Sequence, residues 1–219
     1  MREYEDRSDS MSTAVRQTQP TVGPVPQSGQ IRLAKALTEV FSPAHLIIII
    51  TFTTGVFTAT SIITGIGWGA LAALFAGVIP YTIILISVRH GSVADKHIYD
   101  RAQRIRPLAL SAISVVTGIV LLVVLGAPAA VIGVELSMLA GLALTLPITF
   151  KWKISMHAAV AATTAAALVL LYGPAWALAF LAVFAIAWSR VVLHDHSIAQ
   201  VVAGIPIGVV AALPLLFMH

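Results

Sequence analysis

Nearly all of the side chains that could do chemistry lie in three short polar segments of an otherwise apolar chain of 219 residues. In the first, residues 89–106, Arg101 and Arg104 are three residues apart and His97 precedes Arg101 by four, so a helix would place all three on one face. Guanidinium groups suit phosphate because their planar fork donates two hydrogen bonds at once. The row could therefore grip an oxyanion, but taken alone a basic loop that only anchors the topology is the simpler interpretation.

The second segment, residues 151–156, leads into a helix of small residues through Ser155 and His157. Both lie at or beside the predicted helix N-terminus, where free backbone N–H groups and the helix dipole attract anions. The simpler alternative is that Ser155 only caps the helix while His157 rests in the membrane interface.

The third segment, residues 189–197, carries Arg190, His194 and His196 at a membrane boundary and again leads into a helix. Ionisable side chains are costly to keep at such a boundary without a purpose. A solvated turn between the last two helices is the alternative.

The composition indicates which elements must position these segments. Hydrophobic residues make up 58% of the chain and charged residues 10%, with a mean hydropathy of +0.95, whereas a soluble domain carries about 25% charged residues. A chain this apolar cannot cover its surface with polar groups, which predicts an all-α polytopic membrane protein. It contains no cysteine, which excludes disulfides and thiolate metal sites.

We predict a bundle of six to seven spanning helices, because about 20 apolar residues cross a bilayer. The seven predicted spans are residues 46–63, 67–88, 107–125, 128–150, 157–172, 174–188 and 198–218; six spans plus a re-entrant piece is the alternative. Residues 1–30 are rich in Ser, Thr, Gln and Pro, which predicts a disordered polar tail before a transmembrane domain of residues 31–219. Residues 31–40 could form a short interfacial helix.

The connections between these predicted helices alternate in charge. Those after the first, third and fifth are short and uncharged, whereas the three polar segments follow the second, fourth and sixth, so all 13 lysines and arginines share one face with the N-terminal tail. The positive-inside rule places that face on the cytoplasmic side of a cell membrane. The net charge of +4 then favours anionic lipid headgroups or a phosphate-bearing substrate as partners, and not nucleic acid.

Because the three segments share one face, they can be considered as one site. Together they offer the groups that phosphoryl transfer needs: arginines for the phosphate oxygens and histidines as nucleophile and acid. Their order and spacing resemble the type 2 phosphatidic acid phosphatase superfamily, whose motifs are K-x6-R-P, P-S-G-H and S-R-x5-H-x3-D. Ser189 and Arg190, followed after five residues by His196, match the core of the third motif at its full spacing.

The other two motifs match in part. Ser155 and His157 reproduce half of the second motif, and His97 and Arg104 keep the spacing of the first with His in place of Lys and without the Pro. The alternative register, which uses the Arg-Pro pair at 106–107, would place a tyrosine at the lysine position.

The resemblance implies a membrane phosphatase that removes phosphate from a lipid phosphate. His196 would be the nucleophile that forms a phosphohistidine, and His157 would protonate the leaving lipid oxygen. The residues that would hold the phosphate are Arg190, Arg104, Ser155, His97, Lys96 and Arg101. This route needs no metal or other cofactor.

The resemblance departs at the end of the third motif, where the Asp of the family is Gln200. The amide oxygen of Gln200 can still accept a hydrogen bond from Nδ1 of His196 and fix its tautomer. It cannot stabilise an imidazolium by charge, and that loss alone can cost several powers of ten in rate. Asp195 neighbours His196, so on a helix it points the wrong way for this task, although an extended segment would allow it.

The predicted substrate is an isoprenoid phosphate or diphosphate, or phosphatidate. Two alternatives use the same site: a lipid-phosphate binding or transport protein without turnover, and a transferase that passes phosphate or an isoprenoid to an acceptor other than water. Outside the motifs, Glu135 is a candidate functional carboxylate inside the fourth predicted span, unless it is protonated or paired with a hydroxyl. His45 is interpreted as interfacial.

Overall fold

The computed structural model of the protein describes residues 28–89 and 102–218, apart from the side chains of residues 102–105 and 150. Within these residues all regular structure is helical, as predicted. The helices are α1 (Gly29–Val40), α2 (Pro43–Thr58), α3 (Ile62–Ala73), α4 (Ile79–Arg89), α5 (Ala102–Leu125), α6 (Ala129–Lys151), α7 (Met156–Tyr172), α8 (Ala179–Val192) and α9 (Ile198–Ala211). A π-helical turn, Leu74–Val78, joins α3 to α4, and 3-10 turns precede α8 (Pro174–Leu178) and follow α9 (Leu213–Phe217).

The described helices confirm the predicted polytopic bundle. Five stretches among them are long and apolar enough to cross a bilayer: Ile62–Arg89, Arg106–Leu125, Ala129–Thr149, Pro174–Val192 and Ile198–Phe217. Helices α1 and α2 pass the same test as a pair bent by 43°, which gives up to six spans in the described part of the chain. Helix α7 is apolar but shorter, as its predicted 16 residues indicated.

Several helix ends differ from the predicted ones because polar side chains cap or extend the helices inside apolar sequence. Helix α3 begins at Ile62 and not at residue 67, since the hydroxyl of Ser61 accepts a hydrogen bond from the backbone N–H of Thr64 at 3.2 Å. Helix α1 begins at Gly29, capped by Ser28, two residues before the predicted start of the membrane domain. Helix α8 runs on to Val192, so the third polar segment is helical in its first part.

Close packing of α9 on α7 brings the second and third polar segments together. A Cβ atom at Gly204 would lie 2.9 Å from the carbonyl oxygen of Ser155, and one at Gly208 would overlap the carbonyl oxygen of Ala159. Small residues let helices approach this closely in lipid, where no hydrophobic force drives their association. The backbone N–H of Ser155 also donates to the carbonyl of Gln200 at 3.3 Å.

Helix α1 packs against α8 and has two unlike faces. Ala34 and Thr38, four residues apart, are buried, whereas Arg32, Leu33 and Lys35 are exposed. Basic and apolar side chains on one outer face are typical of a helix in the membrane interface.

Candidate active site

Candidate residues from the second and third polar segments line one cavity. Its volume is about 200 Å³, whereas a single water molecule needs only about 10–15 Å³. His157, Arg190 and His196 line it where α7 begins and α8 ends. Glu39, at the end of α1, and His45, near the start of α2, line it as well; the interpretation of His45 as interfacial stays a prediction.

The remainder of the cavity is largely apolar and runs into the bundle. It is lined on α6 from Ser137 to Thr145 and on α7 from Met156 to Thr163, which at 1.5 Å per residue corresponds to a depth of about 10–12 Å. Leu108, Val115, Ile84, Ala76 and Ile207 line it from other helices. A polar end and a long apolar body together suit an amphiphilic ligand.

Gln200 fixes the tautomer of His196. The backbone N–H of Ser197 lies 3.1 Å from Oε1 of Gln200, and because an N–H group can only donate, the amide atom facing it must be the oxygen. The same oxygen lies 3.2 Å from Nδ1 of His196, so Nδ1 carries the hydrogen and donates it. In the neutral ring the lone pair is then on Nε2, as a nucleophile requires. The hydrogen bond expected between Gln200 and His196 is therefore present.

A Schellman motif at the end of α8 fixes the turn that precedes His196. His194 has a left-handed conformation with φ of +56°. Its N–H donates to the carbonyl of Val191 at 2.9 Å, and the N–H of Asp195 donates to the carbonyl of Arg190 at 3.1 Å, which is the bonding pattern of this motif. The N–H of His196 reaches the same Arg190 carbonyl at 3.2 Å. The turn thus folds Asp195 and His196 back over the last turn of α8.

Asp195 pairs with Arg190. One of its carboxylate oxygens lies 2.8 Å from Nη2 of Arg190, whose side chain is only 2% exposed. A buried guanidinium without a counter-ion would be costly, so Asp195 stabilises the arginine that lines the cavity. Asp195 is not needed to orient His196, because Gln200 already accepts the hydrogen bond from its Nδ1. Its partner in the structure is Arg190.

The two candidate residues of the second polar segment, Ser155 and His157, take different positions in the structure. Ser155 is the N-cap of α7, its hydroxyl accepting from the N–H of Ala158 at 3.4 Å, and it lies outside the lining described for the cavity. His157 is 7% exposed and lines the cavity. Ser155 thus caps the helix, as the simpler alternative held, and its assignment to phosphate binding stays a prediction; His157 is the residue of this segment that lines the cavity.

The first polar segment falls largely outside the described residues. Lys96, His97 and Arg101 lie in the stretch 90–101, which the structure does not describe, and the same holds for the side chain of Arg104 near the start of α5. Their assignment to phosphate binding stays a prediction.

Glu135 lies in α6 beyond the deep end of the cavity. Its side chain is fully buried, and neither carboxyl oxygen has a hydrogen-bond partner among the described residues. A Cβ atom at Gly118 would lie 3.8 Å from its Oε2. The pairing with a neighbouring hydroxyl that the sequence allowed is therefore not found in this part of the chain.

Comparisons of the chain with models of protein families, with curated proteins and with solved structures found no match. Support for a function therefore comes from the cavity itself. Three features have to be explained: a histidine with a fixed tautomer, an ion-paired arginine beside it, and an apolar space that continues from both.

Proposed function

We propose that this chain is a multi-pass membrane phosphatase that removes phosphate from a lipid phosphate through a phosphohistidine at His196. The observation that supports this best is the shared cavity, in which His157, Arg190 and His196 meet at one end of an apolar space. The polar end suits a phosphate and the apolar body suits a lipid chain. The motif spacing supports a distant relation to the type 2 phosphatidic acid phosphatases.

In the proposed reaction the lone pair on Nε2 of His196 attacks phosphorus, and the bond from phosphorus to the bridging oxygen of the lipid breaks. His157, in its protonated form, gives its proton to that oxygen. Arg190 donates hydrogen bonds to the phosphate oxygens, whose charge it balances. Gln200 keeps the hydrogen of the nucleophile on Nδ1.

Hydrolysis of the phosphohistidine completes the cycle. Water attacks phosphorus, the bond between phosphorus and Nε2 breaks, and the now neutral His157 accepts a proton from the water. Inorganic phosphate and the lipid alcohol are the products. With an isoprenyl diphosphate the leaving group is the isoprenyl monophosphate, and the proton transfers are the same.

The neutral amide of Gln200 favours one second candidate, a lipid-phosphate binding or transport protein. The bond at 3.2 Å orients His196 but adds no negative charge to stabilise an imidazolium. In that case the cavity would hold the lipid phosphate and release it unchanged.

Phosphate release by purified protein tests the proposal, with isoprenyl monophosphate, isoprenyl diphosphate and phosphatidate as substrates. We expect His196→Ala and His157→Ala each to lose release, and a phosphohistidine to be trapped in wild type but not in His196→Ala. His194→Asn is the matched control, because His194 is exposed, lies outside the described lining of the cavity, and asparagine tolerates its left-handed conformation.

Each other outcome points to a different protein. Binding of the lipid phosphate by wild type without release would identify a binding or transport protein. Release that requires an added alcohol acceptor would identify a transferase. Full release by both the His196 and the His157 variants would rule out the phosphohistidine route.

We also propose that the site faces the cytoplasm, because the positively charged segments share one predicted face of the bundle and the positive-inside rule places such a face on the cytoplasmic side of a cell membrane. The chain has no cysteine, so single cysteines report accessibility directly. An impermeant thiol reagent is expected to label Thr60→Cys, in the turn between α2 and α3, in intact cells. Lys35→Cys, on the exposed face of α1, should react only after permeabilisation, and the reverse pattern would overturn the orientation.

A further inference from the structure

Helix α1 contributes a buried hydroxyl next to the candidate site. Thr38 is 2% exposed, although α1 lies outside the helices that cross the bilayer on their own. Its Oγ1 lies 3.2 Å from Nη1 of Arg190 and 3.1 Å from Oγ of Ser189. These contacts join residues more than 150 positions apart in the chain.

The directions of these hydrogen bonds follow from the partners. Oγ of Ser189 donates its only hydrogen to the carbonyl oxygen of Ile186 at 2.7 Å, because a carbonyl oxygen can only accept. Thr38 must therefore donate its own hydrogen to Ser189. Its oxygen then accepts from Arg190, since a guanidinium can only donate. The result is a chain with a single direction, from Arg190 through Thr38 and Ser189 to Ile186.

This chain holds one end of the guanidinium while Asp195 holds the other. Nη1 of Arg190 meets Thr38, and Nη2 meets Asp195 at 2.8 Å. Because the guanidinium is planar and rigid, fixing both terminal nitrogens fixes its plane. Asp195 belongs to the turn after α8, but Thr38 belongs to α1, a separate helix that packs against α8.

We propose that Thr38 is a positioning residue for Arg190, so that docking of α1 on α8 is required to form the phosphate site; this rests on the function proposed above. Without the hydroxyl of Thr38, Arg190 keeps its charge and its ion pair but loses the contact that sets its orientation. Helix α1 is then a component of the site and not only a lead-in to the membrane.

The test is the binding of inorganic phosphate to the full chain. It is measured by calorimetry, and as inhibition of turnover by added phosphate, for wild type and for each variant. Thr38→Val removes the hydroxyl at constant shape, and we expect it to weaken phosphate binding on the order of tenfold, since hydrogen bonds to charged groups are stronger than neutral ones. Thr38→Ser keeps the hydroxyl and should restore binding. A role of Thr38 in packing alone would give the opposite pattern, because Val keeps the shape of Thr and Ser does not.

Thr54→Val is the matched control. Thr54 is also fully buried, and its hydroxyl has no hydrogen-bond partner among the described residues, so the same substitution should leave phosphate binding unchanged. If Thr38→Val does not fold, Ser189→Ala replaces it, because it removes the acceptor that orients the hydroxyl of Thr38 and should also weaken phosphate binding.

The possible failures are distinct. If wild type binds phosphate and Thr38→Val binds it equally well, the role of Thr38 is overturned while the proposed function stands. If Thr38→Ser is as weak as Thr38→Val, a hydroxyl at this position is not sufficient for phosphate binding, which also overturns it. If wild type neither binds nor releases phosphate, the proposed function fails and the role of Thr38 falls with it.

Discussion

Replacing Gln200 by glutamate is expected to raise the rate of phosphate release by on the order of 100-fold or more. The substitution puts a carboxylate where an amide oxygen now lies, 3.2 Å from Nδ1 of His196. Nδ1 keeps its hydrogen, so the tautomer stays the same. A negative charge now stabilises the positive charge that develops on the ring when Nε2 bonds to phosphorus.

Glutamate is the sharper choice than the aspartate of the related motif because it has the length of glutamine. Gln200 also forms a capping box with Ser197 at the start of α9, and glutamate is a preferred residue at that position of the box. The helix start is thereby kept, and thermal unfolding of the variant should match wild type. Gln200→Asp, one methylene shorter, is expected to gain less.

The pH dependence supplies an independent check on Gln200→Glu. A nearby carboxylate favours the protonated imidazole, and a protonated His196 cannot attack. The acid limb of the profile of kcat/KM is therefore expected to move to higher pH in the variant, while the rate on the plateau rises. An unchanged rate and an unchanged acid limb would show that this position does not limit the chemistry.

The spanning helices could be predicted from the sequence because lipid leaves few options. Every backbone polar group must be satisfied within the span, which requires a helix wherever about 20 apolar residues occur. Helix ends were less predictable. The start of α3 depends on a bond of 3.2 Å from Thr64 to Ser61, and such a cap gives no signal in hydropathy.

The candidate site also has a part that could be predicted from the sequence and a part that could not. His196, Gln200 and Arg190 lie in one short segment, so spacing alone could place them near one another. The contact between Thr38 and Arg190 could not be predicted, since it depends on where α1 docks. The left-handed His194 was also missed, because a Schellman motif commonly has glycine at this position. For the contact of Thr38 with Arg190, the available signal in the sequence was the spacing of Ala34 and Thr38, which places both on one face of α1.

Gly208→Ala is expected to lower kcat/KM on the order of 100-fold, because a displacement of about 1 Å in a catalytic arrangement has an effect of that size. The added Cβ atom would overlap the carbonyl oxygen of Ala159 and lie 2.8 Å from the Cβ atom of Ala162. Neither neighbour can rotate away, so α9 must move from α7. His196 lies two residues before the start of α9 and His157 is the second residue of α7, so their separation changes with that movement.

Two other glycines extend this prediction to a ranking of three variants. Gly67 in α3 has nothing within 4 Å of an added Cβ atom, so Gly67→Ala should leave kcat/KM unchanged and raise stability by about 0.5–1 kcal/mol through helix propensity. At Gly204 an added Cβ atom would lie 2.9 Å from the carbonyl of Ser155, which is a smaller overlap. Thermal unfolding and kcat/KM should therefore rank the variants Gly67→Ala, Gly204→Ala and Gly208→Ala in falling order. Equal behaviour of the Gly67 and Gly208 variants would contradict the close packing of α7 and α9, and with it the meeting of the two histidines in one cavity.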